Sequence, residues 1–307
     1  MKKRYAFSFM LLCIILLAGC GSQASSDQQA DVSKNNETVI YESETGSVEV
    51  PANPKRIVAL AHAPNVHALG GSLVGVDEWT KNNPLFSEDL KDVPVVSETD
   101  PESILAQQPD LIIAGSHMEN LEELEKIAPT VIYTWGELDY LEQHVEIGKL
   151  LNKEKEAQEW VDDFTKRAKE TGDTIKEVYG DDITVTVFEV DAKNFYVFGD
   201  NWARGTELLY QAMELGMPEK VQQDALAEGY HGLSLETLGE YAGDFIVLSN
   251  NNEENTFMNS ETWKSIPAVK NDQVIELHTK AITYSDPITL EFLLETFEKE
   301  FLENRKE

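Results

Sequence analysis

The sequence predicts an α/β chain of two lobes with parallel-rich sheets covered by helices, joined by one long α-helix. Three observations predict it. Short β-branched runs alternate with segments long enough for helices, and apolar strands this continuous belong in sheets covered on both faces. The runs fall into two series of similar length. Between the series lies a charged stretch with Ala157, Trp160, Val161, Phe164 and Ala168 at helical spacing.

In chain order, Lys2, Lys3 and Arg4 precede an apolar run over residues 5–19, shorter than a spanning helix needs, so residues 1–19 read as a secretion signal. It ends in Leu17-Ala18-Gly19-Cys20, which resembles the lipobox of bacterial lipoproteins. That resemblance implies cleavage before Cys20, lipidation of its thiol, and a location on the extracytoplasmic face of the cell membrane. Residues 20–37 are nearly all polar and read as a flexible tether.

The N-terminal lobe is expected over residues 38–151. Residues 38–41 (TVIY) and 47–50 (SVEV) flank Gly46 as a hairpin, and Pro51 and Pro54 end it. Strands follow at 56–60 (RIVAL), 73–76 (LVGV), 110–114 (DLIIA) and 130–133 (TVIY). The connecting helix is expected over residues 152–178, with Asn152 as its N-cap and a length of roughly 39 Å. A break near Thr171-Gly172 is the competing reading, since glycine is unfavourable inside a helix. The C-terminal lobe, residues 179–307, carries strands at 183–188 (ITVTVF), 195–198 (FYVF), 244–248 (DFIVL) and 273–277 (QVIEL).

Composition narrows the function. The 307 residues include 25 Lys+Arg against 56 Asp+Glu, a formal charge of −31 that repels phosphate backbones and anionic lipid, so no nucleic-acid partner is expected and the membrane is met only through the anchor. The two cysteines, Cys13 and Cys20, both precede the body, which therefore has no thiol chemistry.

Ligand sites in parallel α/β lobes lie beyond the carboxyl ends of strands. The residues there are aromatic: Tyr133 and Trp135 in the first lobe, then Tyr196, Trp202, Trp263 and Tyr284 in the second. Each could instead be a residue at the rim of the core. Arg204 joins them after a glycine-bearing turn that opens an amphipathic helix, and could instead pair with Asp200 or Glu207.

Several phrases carry a family resemblance: residues 54–60 (PKRIVAL), residues 102–113 (ESILAQQPDLII), and Trp263-Lys264 with Ala268-Val269-Lys270 and Val274. They resemble the recurring phrases of ferric-siderophore binders, within the helical-backbone (class III) substrate-binding proteins that feed ABC importers. Trp202-Ala203-Arg204-Gly205 resembles the Trp-x-Arg-Gly segment of the hydroxamate binders. The resemblance implies a lipid-anchored, monomeric binder of a ferric siderophore, with Trp202 packed on the ligand and Arg204 bonded to the iron-bound oxygens. It further implies that Glu102, in Asp100-Pro101-Glu102-Ser103, and Glu236, in Leu233-Ser234-Leu235-Glu236, dock on arginines of the permease subunits. No cofactor is implied, because the siderophore holds the iron. An acid near a helix N-terminus is also stabilised there by the helix dipole alone.

Charge selects among ligands. Ferric tris-catecholates and ferric citrate are anionic and want converging cations, whereas ferric tris-hydroxamates are neutral or singly positive and suit one arginine on an aromatic floor. Lysines converging in the fold would favour the anionic chelates. Direct zinc or manganese capture needs clustered ligands, and His62, His67, His117, His144, His231 and His278 are scattered; His62 lies either on the cleft or at a helix cap. No Gly-x-Ser-x-Gly, Walker, His-Glu-x-x-His or Gly-x-Gly-x-x-Gly motif is present, so a binding protein rather than an enzyme is expected.

Overall fold

The computed structural model describes residues 37–191, 194–251 and 255–303. The expected signal peptide, Cys20 and the tether up to residue 36 lie outside the described residues. Strands β1 (Thr38–Ser43) and β2 (Gly46–Pro51) pair as the expected antiparallel hairpin. Gly46 turns it with φ +120°, a conformation that side chains rarely adopt.

Four parallel strands follow: β3 (Ile57–Ala59), β4 (Leu73–Val76), β5 (Leu111–Gly115) and β6 (Thr130–Tyr133), in the spatial order β4-β3-β5-β6. Their apolar runs are continuous because both faces are covered. Ile57, Ala59, Leu111, Ile113 and Val131 enter one core, while Val58, Ile112 and Ala114 enter another on the opposite face.

The second sheet has five strands. Its parallel part is β7 (Val185–Asp191), β10 (Phe245–Asn250) and β11 (Val274–His278). Strands β8 (Asn194–Phe198) and β9 (Tyr230–Leu233) extend it antiparallel. Strand β9 is not foreshadowed in the sequence, because its residues are exposed or half-buried and carry no apolar run.

The connecting helix spans Glu154–Tyr179 without a break. Asn152 does not cap it: Asn152 takes a left-handed φ of +57° and donates its N–H to Lys149 O at 3.1 Å, closing the preceding helix Tyr140–Leu150, while Lys153 occupies the N-cap. Gly172 is buried and permits contact rather than a break. A Cβ there would lie 2.1 Å from the Met213 carbonyl oxygen, so a side chain would push the helix off the second lobe.

A last long helix, Pro287–Glu298, locks this arrangement. Its Glu291 accepts from Trp160 Nε1 at 2.9 Å and from both terminal nitrogens of Arg167 at 2.6 and 2.9 Å. The same helix packs against the first-lobe helix Ala63–Ala68, so it ties both lobes to the connector. Among the described residues no helix is long and apolar enough to cross a membrane.

Candidate functional site

A cavity of about 500 Å³ opens between the carboxyl ends of the two sheets. Its first-lobe wall comes from the segments after β3, β5 and β6, and its second-lobe wall from the turn after β8 and the segment after β11. The size lies within the range of small-molecule sites.

Tyr133, at the end of β6, is fully buried and lines the first wall. Its hydroxyl lies 2.8 Å from that of Tyr41, which in turn donates to Glu146 at 2.6 Å. Since Tyr41 has one hydroxyl proton and gives it to the carboxylate, Tyr133 is the donor to Tyr41. His62 stands edge-on to Tyr133, with ring centroids 5.5 Å apart, and lines the cavity. It also occupies the N-cap of the helix Ala63–Ala68, at φ +55° and without a side-chain cap bond. Burial lowers its pKa to about 4, so the ring is neutral at neutral pH.

The second wall is built on a turn. Ala203, Arg204 and Gly205 take consecutive φ values of +56°, +56° and +88°. Glycine accepts this freely, and the two non-glycine residues are held there by neighbouring bonds. Ala203 N–H donates to Glu207 at 3.0 Å, Trp202 N–H to Thr206 Oγ1 at 2.9 Å, and Arg204 N–H to Ile282 O at 2.9 Å. Glu207, which opens the following π-helix Glu207–Ala212, is buried, and burial raises its pKa above the ordinary carboxylate value.

The turn aims Trp202 and Arg204 into the cavity. Trp202 rests against Gly229, where a Cβ would come within 2.4 Å of the indole. Its ring lies 5.1 Å from Tyr230 and, across the cleft, 5.3 Å from the exposed Trp135 in an edge-to-face contact. Arg204 pairs with neither Asp200 nor Glu207. Its Nε and Nη2 meet Glu189 of β7 at 2.9 and 3.3 Å, and its guanidinium lies 5.2 Å from the Phe198 ring centroid. Glu189 was not foreseen, although an acid inside an apolar strand run is itself a signal.

Tyr284 also lines the cavity, and burial together with the nearby Asp77 raises its pKa. Tyr196 stands one ring behind the wall, edge-on to Tyr230 with centroids 6.1 Å apart. Trp263 is not in the cleft. The short helix Glu261–Ser265 folds onto the sheet and buries the indole, 4% exposed, against Phe257 and the core that includes Ile246 and Leu248. Glu102 and Glu236 are exposed in the first turns of Pro101–Leu105 and Leu235–Thr237. Among the described residues no group of three or more His, Cys, Asp or Glu side chains is arranged to hold a metal ion.

The profile of the family described as periplasmic binding protein matches residues 59–281. The iron(3+)-hydroxamate-binding protein FhuD of Bacillus subtilis is 33% identical over 303 residues, covering 96% of each chain. FhuD2 from Staphylococcus aureus, solved with bound ferrioxamine B, superposes with a TM-score of 0.77 at 30% identity, over 81% of this chain and 98% of that one. A Bacillus subtilis protein of the FhuD fold family, described as the periplasmic binding component of a Fep/Fec-like ferrichrome ABC transporter, gives a TM-score of 0.79 at 30% identity, over 86% of this chain and 100% of that one.

Proposed function

The chain belongs to the periplasmic binding protein family, and on that premise we propose that it captures a ferric hydroxamate siderophore in the cleft and delivers it to an ABC importer for iron uptake. The observation that carries the ligand class is the cavity lining: Tyr133, Trp135, Trp202 and Tyr284 around Arg204, a single guanidinium already paired with Glu189. Such a lining suits a chelate with an apolar skirt and no large negative charge. The similarity to proteins described as hydroxamate binders supports the same class.

In this reading Trp202, Tyr133, Trp135 and Tyr284 pack on the siderophore, Arg204 donates to the iron-bound oxygens, and Tyr196 supports Trp202 through Tyr230. The protein contributes no metal ligand. A continuous connecting helix favours small closure movements over a wide hinge. Glu102 and Glu236, exposed at helix starts, are the proposed contacts for the permease, and Cys20 the proposed lipid anchor.

The test is tryptophan quenching of the body from residue 37 onward, titrated with a ferric tris-hydroxamate, a ferric tris-catecholate, ferric citrate and free Zn²⁺ or Mn²⁺. Saturable, tight quenching by the hydroxamate and much weaker responses to the others are expected. A response confined to the anionic chelates or to the free metal overturns the ligand class.

A further inference from the structure

We infer that Glu189 sets the charge selectivity of the cleft: by holding Arg204 as a neutral ion pair, it admits neutral and cationic ferric chelates and disfavours polyanionic ones. This rests on the hydroxamate reading of the site and adds to it the residue that enforces the choice.

Several contacts fix Arg204 apart from Glu189. Its backbone sits in a bonded left-handed turn, tied to Ile282 O, and its guanidinium lies beside the Phe198 ring. Backbone and packing therefore place the arginine in part, and the carboxylate adds two hydrogen bonds and a charge. Glu189 is itself built in. Its Oε2 accepts from Arg204 Nε and from Ser249 Oγ, each at 2.9 Å, and Ser249 Oγ lies 2.7 Å from Thr279 Oγ1. Glu189 and Ser249 are register partners on β7 and β10, so the sheet holds the acid in place. The Glu189 side chain is 12% exposed and that of Arg204 19%, so solvent screens the pair little.

Among the described residues lining the cavity, Arg204 is the only lysine or arginine, while Asp139, Glu207 and Asp286 are acids. Asp286 is occupied as the N-cap of the last long helix, accepting from Ile288 and Thr289, and Asp139 caps Tyr140–Leu150. A polyanionic chelate would thus enter a cleft whose one arginine is already cancelled. A cationic one meets no repulsion, and Arg204 keeps N–H groups at the wall for the neutral oxygens of a hydroxamate.

The experiment measures affinity for three ferric chelates of different charge: ferrioxamine B with its pendent ammonium, neutral ferrichrome, and a tris-catecholate of charge about −3. It compares the wild type with Glu189→Gln, Glu189→Asp and the double variant Glu189→Gln/Arg204→Gln, after thermal melting establishes that each is folded. In Glu189→Gln the ratio of ferrioxamine B to ferrichrome affinity is expected to fall by on the order of tenfold and the tris-catecholate to gain at least as much, as removal of one weakly screened charge beside the cleft predicts. Glu189→Asp and the double variant keep the net charge and are expected to keep the wild-type ranking, even with weaker absolute binding. The double variant leaves no charge unpaired, so it reads the ranking if Glu189→Gln fails to fold. Uniform weakening of all three ligands in Glu189→Gln, an unmoved ranking, or a ranking lost in the double variant each overturns the inference. A wild type that binds neither hydroxamate instead sinks the reading of the site before any variant is compared.

Discussion

On the first-lobe wall of the cleft, Tyr133 and His62 are neutral side chains at the ends of a wholly parallel sheet, and the Tyr133 hydroxyl is spent on Tyr41, away from the ligand space. On the second-lobe wall, Trp202 and Arg204 stand on a left-handed turn beside the antiparallel extension of a mixed sheet, and charge enters as the Arg204–Glu189 pair. Strand β6 alone suffices to place Tyr133, and the acid lining this wall, Asp139, is occupied as the N-cap of Tyr140–Leu150. Holding a guanidinium at a fixed angle takes more: a strained turn, a buried acid and a backbone tie to the segment after β11. The difference predicts that substitutions on the second wall cost both stability and affinity, while those on the first separate the two.

The largest effect is expected at Arg204. Arg204→Ala leaves Glu189 buried without its partner, which is expected to lower unfolding free energy by about 3 kcal/mol, in addition to a steep loss of hydroxamate affinity. Denaturant unfolding with and without ligand measures both. A variant with wild-type stability would mean that the pair is solvated, and the contrast between the walls would lose its electrostatic half.

The two tryptophans that meet across the cleft differ in how they are held. Trp202 packs on Gly229 and Tyr230, so Trp202→Ala is expected to weaken hydroxamate binding by roughly 10- to 100-fold, the range of a buried aromatic anchor. Trp135 is 70% exposed, and Trp135→Ala is expected to cost less than about fivefold, as rim residues do. Equal losses in the two titrations would show that the Trp135 rim folds onto the ligand when it binds, making the first wall the moving one.

Much of this was legible in the chain and some was not, for identifiable reasons. The strands could be read because burial on both faces makes their residues continuously apolar, and the connecting helix because Ala157, Phe164 and Ala168 recur at its period. Gly172 signalled a break locally; its reason is the Met213 backbone 41 residues later, which no local pattern reveals. Asn152 suits the start of the second helix in sequence, whereas its left-handed φ ends the first, an ambiguity inherent in a residue that suits both caps. For the site, Trp202 and Arg204 were recognisable from their turn. Trp263 was not separable from a cleft aromatic, because whether a strand-end indole faces inward depends on how the next helix folds back. Tyr230 and Gly229, which support Trp202, lie in and beside a strand too polar to be seen.

The smallest effect is expected at Tyr133, and its value lies in which quantity it moves. In the chain Tyr133–Tyr41–Glu146, Tyr41 gives its proton to Glu146 and accepts the proton of Tyr133. Tyr133→Phe removes that donor, leaves Tyr41 bonded to the carboxylate, and keeps the ring that faces His62 and the cavity. The expected cost is about 1 kcal/mol of folding stability, the net worth of one buried hydrogen bond, with hydroxamate affinity unchanged within about twofold. Denaturant midpoints and quenching titrations on the same preparation separate the two quantities. A tenfold loss of affinity at unchanged stability would mean that the hydroxyl turns from the hairpin to the ligand on binding, and the first wall would then be a polar recognition surface like the second.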